Sequence, residues 1–481
     1  MVVAARAQHE DALLYEKLAA RIEELVRRGT YRPGDRVPSV RECAADFHVS
    51  PATVLQAYLL LEGRGIVEPR PRSGYYVRAT PRALPPVVGV SAPAPAATRV
   101  AVGDLVHSVF SAVRSGQMVP FGAAVPSVEH YPVARLGRLM SSIARRTPSA
   151  HGYDFPPGAE PLRRQIARRA PRFGCSFGPD DVVTTCGALE AVNLALRAVA
   201  RAGDVVALES PCYFGVLQSV QTLGMRALEL PTDPRTGLDL DALAAALERE
   251  TVKAVVVTGN YQNPLGCRMP DARKRALYEL CARRDVPLIE DDIYGDLGFE
   301  ARRPLAIKSF DRSEGVLLCS SFSKTLAPGY RVGWIAPGRW RLEVQRLKLM
   351  TNVGTPTLPQ LAVAELLASG EYERHLRRMR RALERSVLCG LDAIAHYFPE
   401  GTRSSRPAGG FVLWVELPGS VDAVELHRRA LAERITVCPG PMFSSRPRYG
   451  SFLRLSCGMP WNDRLEDAMR RLGRLARELA R

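Results

Sequence analysis

Leu14, Leu18, Ile22, Leu25 and Val26 fall on one helical face, which predicts an amphipathic helix over roughly 12–28. The turn Arg32-Pro33-Gly34-Asp35 follows. Ser39 stands three residues before Glu42, a capping box that starts a second helix ending near Phe47. Ser50 caps a third helix with Pro51 at its first position, where a missing N–H costs nothing. That helix runs to about Arg64 and stops at Gly65. The period then changes: Ile66–Arg70 and Tyr75–Val77 read as two short strands about the turn Pro71-Arg72-Ser73-Gly74.

Beyond about residue 116 the pattern differs. Apolar β-branched runs such as Asp181-Val182-Val183-Thr184, Val205-Val206-Ala207-Leu208, Ala254-Val255-Val256-Val257 and Val286-Pro287-Leu288-Ile289 alternate with longer amphipathic stretches. Such alternation predicts an α/β fold with a mostly parallel sheet and helices on both faces. Between the two patterns Pro81, Pro85, Pro86, Pro93 and Pro95 punctuate a segment rich in Ala and Val, expected to be a partly extended linker. The chain therefore divides into a small α+β head (10–78), a linker (79–115) and an α/β body (116–481). A chain of 481 residues is too long for one compact core, in keeping with that division.

Composition changes this picture little. Hydrophobic content of 46% and charged content of 24% describe an ordinary soluble protein. The ten cysteines show no C-x-x-C pair and no metal-ligand spacing, so free thiols in a reducing cytosol and no metal are expected. No signal peptide and no run of membrane-spanning length are apparent. The net charge of +16 suggests an anionic partner, yet residues 1–80 hold twelve basic and ten acidic side chains, a net of only +2. Pattern, not charge, points to the head as the nucleic-acid reader.

The candidate chemistry centres on Lys324, one of only six lysines among 66 basic residues. It lies in Ser320-Ser321-Phe322-Ser323-Lys324-Thr325, just past the apolar run Gly315-Val316-Leu317-Leu318-Cys319, a setting that presents an amine to a carbonyl cofactor as a Schiff base. A pyridoxal phosphate site also needs an anion at the pyridine nitrogen, donors to the phenolic oxygen, an aromatic face and a phosphate cradle. Asp291 ends an apolar run, and Tyr294 follows three residues on; Asn263 precedes Pro264; Tyr213 follows Ser210-Pro211-Cys212. Gly187, Ala188 and Leu189 open a helix after a strand, where backbone N–H groups bind phosphate. Singly, an acidic pair is more often a cap, Asn-Pro a turn and Gly-Ala a packing device. Their order along the chain carries the argument.

Two resemblances rest on these residues. Val37-Pro38-Ser39-Val40-Arg41 and Val49-Ser50-Pro51-Ala52-Thr53-Val54 resemble the GntR family of bacterial repressors, which implies a winged helix-turn-helix. That likeness implies DNA contacts from Ser39, Arg41, Ser50, Thr53 and Gln56, and from Arg70, Arg72 and Gly74 on the wing. The order cradle, Tyr213, Asn263, Asp291, Lys324 resembles the pyridoxal phosphate-dependent fold-type I aminotransferases. It implies that Ser321 and Arg331 bind phosphate, that Tyr153 reaches the phosphate of a partner subunit, and that Arg454 grips a substrate α-carboxylate. Leu265 departs from the threonine often found there. No second arginine matches a reader of a side-chain carboxylate.

Head and body together resemble the MocR subfamily of transcription regulators. The resemblance implies a cytoplasmic, nucleoid-associated homodimer, often head-to-tail, that binds operator DNA. It also implies sensing of pyridoxal phosphate, or of an amino acid or amine, through aldimine exchange at Lys324. Two alternatives stand beside it: a catalytically active aminotransferase carrying a DNA-binding head, and a regulator in which the cofactor is only structural.

Overall fold

The computed structural model describes residues 13–28, 30–31, 34–70, 73–77, 84–101, 103, 106–107 and 118–481. The head consists of helices α1 (Leu14–Arg27), α2 (Val40–Asp46) and α3 (Pro51–Gly63), then strands β1 (Val67–Arg70) and β2 (Gly74–Val77) paired antiparallel. Ser39 accepts a hydrogen bond from the Glu42 N–H while Glu42 accepts one from the Ser39 N–H, so both ends of the capping box are made. Ser50 Oγ accepts from the Thr53 N–H at 3.1 Å and starts α3. Leu18, Ile22, Val54, Ala57, Tyr58 and Leu61 close a small core, with Val67 and Val77 of the hairpin beneath it. The Tyr58 hydroxyl donates to the Pro38 carbonyl at 2.5 Å and ties α3 to the turn before α2.

The 79–115 segment is not a free tether where it is described. Leu84 packs on the body, Val88 and Val100 are buried, and strand β3 (Thr98–Arg99) adds antiparallel to the edge of the large sheet. Proline density hid this from the sequence, because a two-residue strand has no periodicity to detect.

The large sheet is built from β3, β4 (Val183–Thr185), β5 (Val205–Ser210), β6 (Arg226–Asp233), β7 (Val252–Val257), β8 (Leu288–Asp291), β9 (Val316–Ser321) and β10 (Gly333–Ala336). Their order across the sheet is β3-β6-β5-β7-β8-β9-β10-β4, with Gly237–Leu238 pairing β6 off this path. Strands β6, β5, β7, β8 and β9 are parallel; β10 runs antiparallel between β9 and β4. The parallel strands are buried on both faces, which is why their sequences read as continuous apolar runs. A smaller antiparallel sheet includes β11 (Val412–Glu416) and β12 (Phe452–Ser456). Between the two sheets in sequence runs the long helix α4 (Glu371–Tyr397), which also carries the head: Leu388 lies against Gly63, and Arg385 pairs with Glu62 at 2.5 Å.

Among the described residues no helix is long and apolar enough to cross a membrane, and no His/Cys/Asp/Glu group has the makings of a metal site.

Candidate functional site

Parallel strands place their carboxyl ends on one side of a sheet, and the loops there form the natural crevice for a ligand. Here that crevice is a cavity of about 210 Å³. Its wall contains Ala188, Leu189, Tyr213, Asn263, Asp291, Tyr294, Lys324, Arg331 and Arg454, contributed by segments that span most of the body. A wider cleft of about 610 Å³ lies between Arg235, Arg268 and Arg406, but neither lysine nor carboxylate is among its lining residues.

Asp291 is the last residue of β8 and lies next to Cys319 of β9. Burial, with Asp292 adjoining, pushes its carboxyl up to about 7. Lys324 stands in the turn after β9, and its Nζ donates to the Ala124 carbonyl at 2.6 Å. Burial and the positive charges of Arg454 and Arg331 lower its pKa to about 8, against the opposing pull of Asp291. The amine is therefore neutral some hundreds of times more often at pH 7 than an ordinary lysine would be. Burial also raises the Tyr294 hydroxyl, and lifts that of Tyr213 to about 12, so both stay protonated donors.

The cradle is built around Gly187 at φ +91°, a conformation that disfavours any side chain. A Cβ there would also run into the Arg331 guanidinium, whose Nη2 donates to the Cys186 carbonyl at 2.6 Å. Arg331 itself holds φ +53°. Ser321 is not itself among the lining residues: its Oγ donates to the Val332 carbonyl at 2.9 Å and lies 2.7 Å from Ser323 Oγ. Ser323, one residue before the lysine, lines the cavity instead, with Arg331 Nη1 at 3.4 Å. Two serines sit within three residues of Lys324, and only the backbone direction after β9 separates their roles.

Arg454 on β12 is fully buried. Its Nη2 donates to the Gly122 carbonyl and its guanidinium lies 5.8 Å from the Phe443 ring centroid, but Nε and Nη1 have no hydrogen-bond partner. A buried guanidinium with two unmet donors is costly unless an anion completes it. Asn263 likewise leaves Oδ1 without a partner. Tyr153 is not in this cavity; it stands 79% exposed on the surface beside exposed Phe155. Nothing in the sequence marked Ala124 or Val125, which close the cavity beside Lys324.

On the head, Arg41 and Gln56 are exposed and Thr53 is half-buried. The hydroxyls of Ser39 and Ser50 serve as helix caps. Gly74 takes φ +104° opposite Arg70, and a Cβ there would lie 3.3 Å from Arg36 Nε. Arg72 lies outside the described residues, as does the Arg70 side chain.

Two family models match. Residues 118–472 match the aminotransferase class I and II family, and residues 14–77 match the GntR family of bacterial regulatory proteins. The uncharacterized HTH-type transcriptional regulator YjiR of Escherichia coli (strain K12) is 39% identical over 95% of this chain and 98% of its own length. A 2-aminoadipate transaminase of Thermus thermophilus is 32% identical over 75% of this chain and 91% of its own. Among solved structures, the α-aminoadipate aminotransferase LysN from Thermus thermophilus, complexed with N-(5'-phosphopyridoxyl)-L-leucine, superposes with a TM-score of 0.72 at 30% identity, covering 78% of this chain and 95% of that one.

Proposed function

Because the chain belongs to the class I and II aminotransferase family and carries a GntR-family head, the arrangement of MocR-type regulators, we propose that its body senses an amino compound and passes that state to DNA. The protein is a pyridoxal phosphate-dependent, DNA-binding transcription regulator.

The residues present fit the cofactor. The Gly187 cradle and Arg331 offer N–H and guanidinium donors to a phosphate; Asp291 offers a carboxylate to the ring nitrogen; Asn263 and Tyr294 offer donors to the phenolic oxygen; Tyr213 offers a face. When bound, the cofactor supplies an aldehyde that condenses with amines and a ring that withdraws electrons. Lys324, its proton loosened by burial and by two arginines, is the amine to hold it. Arg454 carries the sensing role. Arg454 lines the same cavity, and its Nε and Nη1 lack the partners that a carboxylate would supply. That buried, half-satisfied guanidinium is the single observation on which the reading rests.

A ligand shifts DNA binding only through different affinities for two conformations of the protein. Arg454 belongs to the small sheet, whereas Asp291 ends a strand of the large one and Lys324 follows another. A ligand engaging both groups therefore favours one relative placement of the two. The exposed pair Tyr153 and Phe155 supports a homodimer in which Tyr153 serves the neighbouring cavity. Arg41, Thr53 and Gln56 on α2 and α3 are the proposed DNA-reading residues.

The test combines borohydride reduction with an operator-shift assay on the full chain. Pyridoxal phosphate becomes fixed to a peptide containing position 324 in the natural protein and not in Lys324→Ala. The variant still shifts operator DNA but no longer answers to added amino acids. A regulatory response that survives Lys324→Ala would overturn the sensing role. A second reading, an active aminotransferase with a head that localises it, is favoured by the company of Lys324, Asp291 and Arg454 in one cavity. Turnover of an amino acid with a keto acid at more than about 1 s⁻¹ would establish it.

A further inference from the structure

The loop that follows Phe443 starts at a ring packed on Arg454 and Phe214, two residues of the effector cavity, and goes on to hold the segment that joins head and body. We propose that residues 444–449 form a clasp on residues 91–98, through which occupancy of the Arg454 cavity reaches the DNA-binding head. The proposal rests on the sensing role set out above and names its route.

At the centre is Glu229, a buried carboxylate on β6. It accepts hydrogen bonds from Ser210 Oγ at 2.7 Å, Ser444 Oγ at 2.9 Å, Ser445 Oγ at 2.6 Å and the Ser445 N–H at 2.5 Å. Since Ser445 Oγ spends its one proton on Glu229, Thr98 Oγ1 donates to Ser445 Oγ at 2.8 Å. By the same count Tyr449 donates to Ser210 Oγ at 2.8 Å. Proton direction thus runs from the 91–98 segment and the loop inward to a single anion.

Around this centre the loop holds the segment directly. Arg446 Nη2 donates to the Ala96 carbonyl at 3.0 Å, and Arg448 Nη2 to the Ala92 carbonyl at 2.5 Å. Ser91 Oγ donates to the Ser210 carbonyl and accepts from the Thr232 N–H. Every bond from loop to segment or to Glu229 crosses from the small-sheet half to the large-sheet half.

At its start the loop meets residues of the cavity wall. Phe443 lies beneath Arg454 and makes an edge contact with Phe214 at 5.7 Å, and Phe214 in turn packs on Tyr213 at 4.6 Å. The Phe443 carbonyl accepts from the Cys212 N–H at 2.9 Å. Trp414 packs on Phe443, Tyr449 and Phe452 together, so the loop moves as one packed unit with β12, the strand that bears Arg454. A carboxylate that draws Arg454 displaces the floor of that unit, and the clasp bonds stretch or re-form because they are short and directional. A contiguous set of packed side chains and hydrogen bonds thus joins Arg454 to the 91–98 segment.

The test uses the full chain loaded either with pyridoxal phosphate or with N-(5'-phosphopyridoxyl)-L-leucine, which presents phosphate and carboxylate together. Hydrogen exchange of the amides of residues 91–99 should differ at least threefold between the two. The ratio of operator affinities for the two states should fall to about one in Arg446→Ala/Arg448→Ala and in the milder Thr98→Val. Neither change touches the cavity, so the affinity for the leucine adduct should stay within about twofold. Equal exchange in the two states, or an operator ratio unchanged in both variants, overturns the clasp. If the natural protein's operator affinity ignores the adduct although the cavity binds it, the sensing reading falls with it; if the natural protein responds and both variants keep that response, the clasp alone falls.

Discussion

The head and the body of this chain reach specificity by opposite means. The head is assembled from neighbours in sequence: caps three residues apart, helices of two to four turns, and a hairpin of two consecutive strands. The body's cavity gathers Ala188, Asp291, Lys324 and Arg454 from four separate strands or the turns that follow them, far apart in the chain. A locally built unit with a small core is easily lost and easily read. A unit whose parts converge through a buried sheet is durable, and its parts are individually uninformative.

That contrast is open to attack. The largest effect is expected in the head core. Leu61→Ala removes a fully buried side chain from a cluster of modest size, at a cost of about 3 kcal/mol. The head should melt about 10 °C or more lower and lose operator binding there, while pyridoxal phosphate uptake, followed by absorbance, is unchanged. Loss of both activities together would mean that head and body unfold as one.

Next comes Arg454→Gln. It replaces a guanidinium of the cavity wall with a neutral amide that can still donate, and the affinity for an amino acid should drop about fiftyfold, a net loss of about one charged hydrogen bond at roughly 1.5–3 kcal/mol. Affinity for pyridoxal phosphate alone, which has no α-carboxylate, should hardly change. Equal losses for both ligands would take the carboxylate role away from Arg454.

The pH dependence of cofactor attachment should follow. The nucleophile is the neutral amine, and Lys324 loses its proton near pH 8 instead of in the usual lysine range. The attachment rate should therefore rise about thirtyfold from pH 6.5 to 9 and then level. A rate still climbing about ninefold between pH 8.5 and 9.5 would show an unshifted lysine.

The smallest effect is at the join. Arg385 and Glu62 pair across the head–body boundary with the arginine half exposed, so Arg385→Ala should cost only ~0.5 kcal/mol, seen as a slight shift in the melting of the head. A large loss would mean that this one pair holds the head in place.

The same contrast explains what the sequence revealed. Ser39, Ser50 and Pro51 marked their helices because capping is a short-range matter, and the helix bounds agree with the pattern to within about two residues. Asp291 and Lys324 were legible because each stands at or just past the end of an apolar run, and because their order along the chain could be read together. Scarcity of lysine was a weaker guide than it looked. Lys274 and Lys348 are also buried, held by Asn260 and the Leu305 carbonyl in one case and by Glu190 in the other. The choice of Ser323 over Ser321 at the cavity, and the edge strand Thr98–Arg99, depend on partners more than a hundred residues away or on which way the chain turns after β9. No local pattern encodes either.

Docking of residues 84–101 along the large sheet has a geometric corollary. From Val77, where the hairpin ends, to Leu84, already packed on the body, there are seven peptide steps, which span at most about 25 Å. The DNA-reading surface is thus kept on a short leash. Were two chains to assemble, the bodies would set the limits on the distance between paired binding sites on DNA. Inserting a few glycines between Val77 and Leu84 should blur the preferred operator spacing without altering which bases are read.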